Sequence, residues 1–301
     1  MIISASRRSD IPAFYADWLM RRLEEGFCTV PNPFNAKQVA RVSLIPEDVD
    51  AIVFWTRFAA PLLPHLDRLD ARGYRYYFQY TLIGYGPPVE PSLPPLDRAI
   101  DSFRRLAARL PAGAVVWRYD PILVGPAFPA DEHRRRFSAI ADALESSTRR
   151  VVISVVHLYR KTIRRLGALY RWGNDLVQAP SADPALPDLL GSLADIAQRH
   201  GMVMEACSQE TDYAELGIAA TQCVDDRLLR ELFGGDWSSR KDPGQRTACR
   251  CIPSQDIGMP DTCPFGCAYC YANRNAEMPR RRLREHDPSS PSLHGRHEPT
   301  G

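Results

Sequence analysis

The sequence has little net charge, no long apolar run and, before Cys207, only one cysteine. Thirty-eight basic against 36 acidic residues leave a formal charge of +2, too even for bulk attraction to a nucleic acid or an anionic membrane. No uncharged apolar stretch approaches the roughly 20 residues that span a bilayer. The opening Met1-Ile2-Ile3-Ser4-Ala5-Ser6-Arg7-Arg8 lacks the basic leader, long apolar segment and small-residue cleavage site of a secretion signal. The expected compartment is therefore the cytoplasm. No internal repeat appears beyond an alternation of strand-like and helix-like segments.

What is present is a chain of 301 residues, 45% apolar and 25% charged, long enough to bury a large core as one α/β barrel or as two smaller domains. Short β-rich runs recur at Ile2 to Ser6, Ala51 to Thr56, Tyr76 to Leu82, Ala114 to Arg118, Val151 to His157 and Met202 to Cys207. Their nearly continuous apolar character predicts strands covered on both faces, as in a parallel sheet. Between them lie amphipathic helices. In Pro95 to Leu110 the residues Leu96, Ile100, Phe103, Ala107 and Leu110 repeat at helical spacing, with Arg98, Arg104, Arg105 and Arg109 on the other sides. Phe14 to Glu25 places Trp18 and Leu19 near Leu23 and stops at Gly26.

Thr29 to Leu44, with Asn32-Pro33-Phe34-Asn35 as turn chemistry, reads as an inserted β-hairpin. Gly84 to Pro95 is a proline-rich loop. From Pro279 onward, an arginine run followed by proline, serine, histidine and glycine predicts a disordered tail. The expected architecture is α/β, a partial (βα)6 TIM-like barrel over residues 1–210, a cysteine-rich cap over 211–278 and a disordered tail over 279–301.

In parallel βα barrels functional side chains project from the C-terminal strand ends. That rule selects Ser6, Arg7, Arg8 and Asp10 after the first strand, Thr56 and Arg57 after the second, and Gln79 and Thr81 on the third. It also selects Arg118, Tyr119 and Asp120 on the fourth, His157 on the fifth, and Glu205, Cys207, Ser208 and Glu210 on the sixth. Arg118 is the candidate to hold an anionic group, because a guanidinium pairs with a carboxylate through two parallel hydrogen bonds. A salt bridge to Asp120 is the plainer alternative.

Seven of the eight cysteines lie in the last third of the chain, and only Cys28, in an apolar context, stands apart. Clustering of this kind in a reducing compartment favours metal ligation over disulfides. Cys263, Cys267 and Cys270 form C-x3-C-x2-C. Three thiolates on one loop can hold three irons of a cubane and leave the fourth iron open, whereas structural zinc usually takes four protein ligands. Cys207, Cys223, Cys249 and Cys251 make a second complete ligand set. An auxiliary [4Fe–4S] cluster, a structural zinc and unmetallated buried thiols all remain open readings of it.

The Cys263 loop, with aromatic Tyr269 directly before Cys270, resembles the cluster motif of radical SAM enzymes. Much of the chain also resembles an uncharacterised bacterial family, the domain of unknown function 1848. That resemblance runs through Ser4-Ala5-Ser6-Arg7-Arg8-Ser9-Asp10-Ile11-Pro12, Asn32-Pro33-Phe34-Asn35, Phe54-Trp55-Thr56, Arg118-Tyr119-Asp120-Pro121 and Asp256-Ile257-Gly258 to the cysteine loop. The two resemblances imply a [4Fe–4S] cluster that binds S-adenosylmethionine (SAM), with Tyr269 beside the adenine; such an enzyme needs a low-potential electron donor such as flavodoxin or ferredoxin, and the strand-end position of Arg118 makes the SAM carboxylate the anionic group expected there. The loop sits near the C-terminus rather than after the first strand, and no early Gly-Gly-Glu segment accompanies it. A competing reading is a zinc- or cluster-stabilised barrel that binds nucleic acid through Arg7, Arg8, Trp55 and Arg57.

Overall fold

A computed structural model describes residues 1–300. Its strands are β1 (Ile2–Ala5), β2 (Phe27–Asn32), β3 (Asn35–Ser43), β4 (Ala51–Thr56), β5 (Tyr76–Thr81), β6 (Val115–Ile122), β7 (Arg150–Val155), β8 (Val203–Cys207), β9 (Ala219–Thr221) and β10 (Gln255–Asp256). Its α-helices are α1 (Ile11–Phe14), α2 (Ala16–Glu25), α3 (Leu66–Ala71), α4 (Leu96–Arg109), α5 (Ala130–Leu144), α6 (Arg160–Gly167), α7 (Leu186–Arg199), α8 (Asp226–Phe233) and α9 (Glu277–Arg284). Each of the six β-rich runs is a strand.

These strands lie in a mixed α/β architecture with a parallel sheet of eight strands, ordered β10-β1-β4-β5-β6-β7-β8-β9. The expected six-strand count misses β9 and β10, which pair in parallel with β8 and β1 at the two ends of that order. No closure into a barrel joins those ends among the described residues. The chain divides into two compact units, one of Met1–Phe78, Pro253–Gly266 and Ala272–Gly301, the other of Gln79–Ile252 and Cys267–Tyr271. This differs from the expected barrel, cap and tail. The cysteine-rich stretch forms no body of its own, because β9 and β10 draw its two halves onto different strands.

In the first unit β1 and β4 are buried along most of their length, and α2 packs Trp18, Leu19 and Leu23 inward. Gly26 ends α2 with φ +76°. A Cβ there would lie 2.7 Å from Ile45 Cγ2, so glycine supplies both the left-handed cap and the close approach. The hairpin forms as expected, β2 antiparallel to β3. The tail, expected to be disordered, is instead packed: α9 forms, Trp18 Nε1 donates to Ser290 O at 3.0 Å, and Thr29 Oγ1 meets Ser292 Oγ at 2.6 Å. Ser290, Ser292 and Leu293 are buried. Composition missed this because the tail is held by the hairpin and α2, not by its own apolar pattern.

In the second unit β6 shows how a strand sorts its side chains. Trp117 and Tyr119 face α5, where the Trp117 ring lies 4.6 Å from that of Phe137, tilted by 34°, and the Tyr119 hydroxyl meets His133 Nδ1 at 2.9 Å. The alternate residues Arg118 and Asp120 point the other way, as a two-residue period requires. On α4 the fully buried residues are Ala99, Ser102, Phe103 and Leu106. The stripe is thus rotated from the one expected through Leu96, Ile100 and Ala107, which are half-buried, while the four arginines are exposed. Among the described residues no helix is long and apolar enough to cross a membrane.

Candidate metal and cofactor site

The segment after β1 is organised around two carboxylates of the first unit, buried Asp10 and half-buried Asp256. Asp256 on β10 accepts from Ser6 Oγ at 2.7 Å, Ser4 Oγ at 3.1 Å, and the backbone N–H groups of Arg7 at 3.0 Å and Gly258 at 2.9 Å. Asp10 caps α1 by accepting from Ala13 N at 3.1 Å, and it also accepts from Thr56 Oγ1 at 2.8 Å and Arg57 N at 2.6 Å. Burial pushes the Asp10 carboxyl up to about 7, against the downward pull of these donated hydrogen bonds. Ser6, Asp10 and Thr56 therefore tie strand ends together.

Arg7 lies over the Trp55 ring at 4.8 Å and donates to Ser254 Oγ at 3.3 Å. A guanidinium therefore lies against one face of that ring.

The C-x3-C-x2-C loop runs from the first unit, which holds Cys263, into the second, which holds Cys267 and Cys270. Cys263 and Cys270 are partly exposed, and Cys267 is buried. On the first side, Asn273 Nδ2 donates to Cys263 O at 2.7 Å and Tyr15 Oη donates to Thr262 O at 2.6 Å. Asp261, with φ +59°, accepts from Arg274 N, and Gly266 turns the chain with φ +76°. On the second side, Cys270 N donates to Cys267 O at 3.1 Å and Ala268 N donates to Val89 O at 2.8 Å. Arg165 of α6 reaches both Cys267 O, at 3.2 Å, and Cys270 O.

Tyr269 hydrogen-bonds through Oη to Glu90 and meets Tyr85 edge-on at 6.2 Å, against an apolar cluster of Val89, Leu123, Phe128 and Val156. Sequence reasoning missed Glu90 and Arg165. Each stands in a segment, the proline-rich loop and a basic helix, where a single charge has no distinguishing pattern.

Arg118 is placed differently from its expected role. Its Nε donates to Asp120 Oδ2 at 3.1 Å, Nη2 bonds the same carboxylate, and Nη1 lies 3.3 Å from Gln79 Oε1 and 2.9 Å from Cys223 Sγ. With 5% of the residue exposed and all three nitrogens engaged, it serves the second cysteine set and is not held out for a ligand carboxylate. Gln79 completes that contact by donating through Nε2 to Cys223 O at 2.9 Å. Tyr119 turns away toward α5, as noted, and His157 Nε2 donates to Ser208 O at 3.1 Å. Glu205 is taken by Arg150 at 2.8 Å.

The second cysteine set does come together. Cys207 Sγ and Cys223 Sγ are 3.0 Å apart, Cys223 and Cys249 each hydrogen-bond the Cys251 side chain, and all four are buried. The Cys207 thiol is held below its ordinary range by the hydrogen bond from Cys223 and, secondarily, by the Arg118 charge. The Cys223 and Cys249 thiols are pushed up by their sulfur neighbours and burial. No disulfide joins any of the eight cysteines. Among the described residues no three His, Cys, Asp or Glu side chains, those of the Cys263 loop included, stand ready-made at metal-ligand spacing.

A family profile, "Domain of unknown function (DUF1848)", matches residues 2–272. The chain belongs to the DUF1848 family. The match takes in both cysteine sets and the Asp10 and Asp256 networks. Comparison of this DUF1848 chain with the curated proteins finds no match. Among solved structures it is similar to a "putative alpha-L-fucosidase from Bacteroides thetaiotaomicron VPI-5482", at 11% identity and a TM-score of 0.26, covering 80% of this chain and 85% of that one.

Proposed function

We propose that this DUF1848 protein is a radical SAM-type enzyme whose [4Fe–4S] cluster is held by Cys263, Cys267 and Cys270. The carrying observation is the donor set: three thiols on one loop, two of them partly exposed, a number that leaves one iron of a cubane open. The residues around it suit an anionic metal group. Arg165 brings a guanidinium to the Cys267 and Cys270 carbonyls, and the glycine turn at Gly266 keeps the C-x3-C span compact. When bound, such a cluster supplies an open iron for the amino and carboxylate groups of SAM and an electron for sulfonium cleavage.

The protein's own residues position and shield. Tyr269, fixed by Glu90 and Tyr85, offers an aromatic edge beside Cys270 for an adenine. A low-potential donor, flavodoxin or ferredoxin, belongs to this reading, as does the finer description of the sheet as a partial (βα)6 barrel bearing a cysteine-rich region. A compartment that keeps thiols reduced, such as the cytoplasm, belongs to it as well.

Anaerobically reconstituted, dithionite-reduced protein given SAM is expected to release 5′-deoxyadenosine and methionine slowly without any other substrate. Cys267→Ala abolishes both products and Cys28→Ala leaves them, because Cys28 is a buried thiol of the hairpin. Iron-replete, reduced protein that neither binds SAM nor forms 5′-deoxyadenosine overturns the reading.

A further inference from the structure

We propose that Cys207, Cys223, Cys249 and Cys251 form a second, closed metal centre of four thiolates, which takes Zn2+ or a [4Fe–4S] cluster and leaves no position for a substrate. This inference is independent of the Cys263 loop. Four sulfurs arrive from three separate places in the second unit: the end of β8, the turn before α8, and the Cys249-Arg250-Cys251 segment far along the chain. All four are buried, with relative exposures of 6, 7, 7 and 1% in chain order, and they neighbour one another in pairs, Cys207 with Cys223 and Cys251 with both Cys223 and Cys249, without standing at metal-ligand spacing. Ordinary packing of small hydrophobic thiols accounts for burial, but not for the polar groups directed at the sulfurs.

Those groups are all donors. Cys251 Sγ accepts the backbone N–H of Cys223 at 3.3 Å and of Val224 at 3.5 Å, and Cys223 Sγ accepts Arg118 Nη1 at 2.9 Å. A neutral thiol is a weak acceptor, so placing two amides and a buried guanidinium against it gains little. A thiolate bound to a metal is anionic and rewards each of these donors, and hydrogen bonds to sulfur are a recognised means of tuning such centres. Arg118 is itself anchored on Asp120 and Gln79, so its remaining nitrogen is aimed at sulfur by the frame around it.

The sulfur spacing is that of unlinked thiols. The 3.0 Å between Cys207 Sγ and Cys223 Sγ exceeds a disulfide bond of about 2.05 Å. It falls short of the sulfur–sulfur edge of about 3.8 Å that follows from a tetrahedron with Zn–S near 2.3 Å. The thiols as they stand are contracted, and binding zinc would move the sulfurs apart by about 0.8 Å on this edge, a cubane by more. Because all four thiolates are protein ligands, the centre is structural if it holds zinc and an electron relay if it holds a cluster.

The test is metal analysis of full-length protein carrying Cys263→Ala, Cys267→Ala and Cys270→Ala together, isolated anaerobically. About four irons with matching sulfide, or about one zinc, should remain per chain, and adding Cys251→Ala should remove them. Iron with sulfide identifies the cluster and zinc the structural ion. If the triple variant does not fold, X-ray absorption of the wild-type protein decides. Either a zinc-edge signal with four sulfurs near 2.3 Å or about eight irons per chain supports the centre. Folded protein with neither metal beyond that of the Cys263 loop, or with a Cys207–Cys223 disulfide in its peptide map, overturns it. Metal retained here without SAM cleavage by the wild type removes the radical reading and leaves this one standing.

Discussion

Replacing Arg118 by leucine is expected to destabilise the protein by about 3 kcal/mol. The guanidinium side chain is 7% exposed and that of its partner Asp120 is 23% exposed. Removing one member of a buried ion pair costs roughly 3 to 5 kcal/mol because the remaining charge stays desolvated and unpaired. The lower end applies, since Asp120 keeps some water and retains a hydrogen bond from Ser154 Oγ. Gln79 Oε1 and Cys223 Sγ each lose a donor as well.

Urea unfolding followed by tryptophan fluorescence reads the loss, with Trp117 one residue away as reporter. Adding Asp120→Asn to Arg118→Leu removes the stranded charge and should restore at least half of the deficit. A deficit below about 1 kcal/mol, the range of exposed pairs, refutes the buried-pair argument. The same variant tests the reassignment of Arg118: Arg118→Lys keeps a charge but loses the fork that holds Asp120 and sulfur together. It should therefore loosen the second metal centre while leaving SAM affinity, measured calorimetrically, unchanged.

Gly258→Ala should cost about 2 kcal/mol, toward the middle of the overpacking range. The new Cβ would sit 2.1 Å from Ser6 Oγ and 2.5 Å from Ser6 Cβ, and a thermal midpoint equal to wild type would contradict the contact. Asp10 holds its proton up to about 7 in the folded chain, against 3.8 for the unfolded chain. Between about pH 4 and 7 the folded state therefore binds the extra proton, and stability falls as pH rises, by as much as about 4 kcal/mol, then levels off. Asp10→Asn should flatten that slope in a pH series of urea midpoints, and an unchanged slope rejects it. Truncation after His286 removes the bonds from Trp18 Nε1 to Ser290 O and from Thr29 N to Pro291 O, together with buried Leu293. It should cost at least about 2 kcal/mol, whereas unaltered urea unfolding would return the tail to a passive extension.

Much of the fold was legible because parallel strands covered on both faces are nearly continuously apolar, as Ala51 to Trp55 and Val151 to Val155 are but for Ser154. The short strands were not. Ala219–Thr221 and Gln255–Asp256 are too brief to show a period, and they exist because a neighbouring strand edge accepts them. The site followed the same division. The two cysteine sets could be read from spacing and from count. The partners that shape them, Glu90 and Arg165 at one set and the orientation of Arg118 at the other, are long-range contacts without local signature. Arg118 was read as reaching for a ligand because a strand end is where ligands bind. It is instead bound to Asp120, two residues on along the same face, the plainer alternative that the sequence already offered.

The two arginines distinguish the two thiol sets by what they touch. Arg165 bonds the carbonyls of Cys267 and Cys270, so it shapes the loop and contributes charge at one remove. Arg118 bonds a sulfur itself, in a place too buried for any ligand to enter. A centre meant to bind substrate keeps its metal accessible and takes its support from the backbone, whereas a centre meant to hold a fold together, or to pass an electron, can be sealed and have its charge offset directly. Partial exposure of Cys263 and Cys270, beside buried Cys267, and burial of all four thiols of the second set fit that division of labour. The same physics that makes the buried set unsuitable for chemistry on a substrate makes the Cys263 loop the place to look for it.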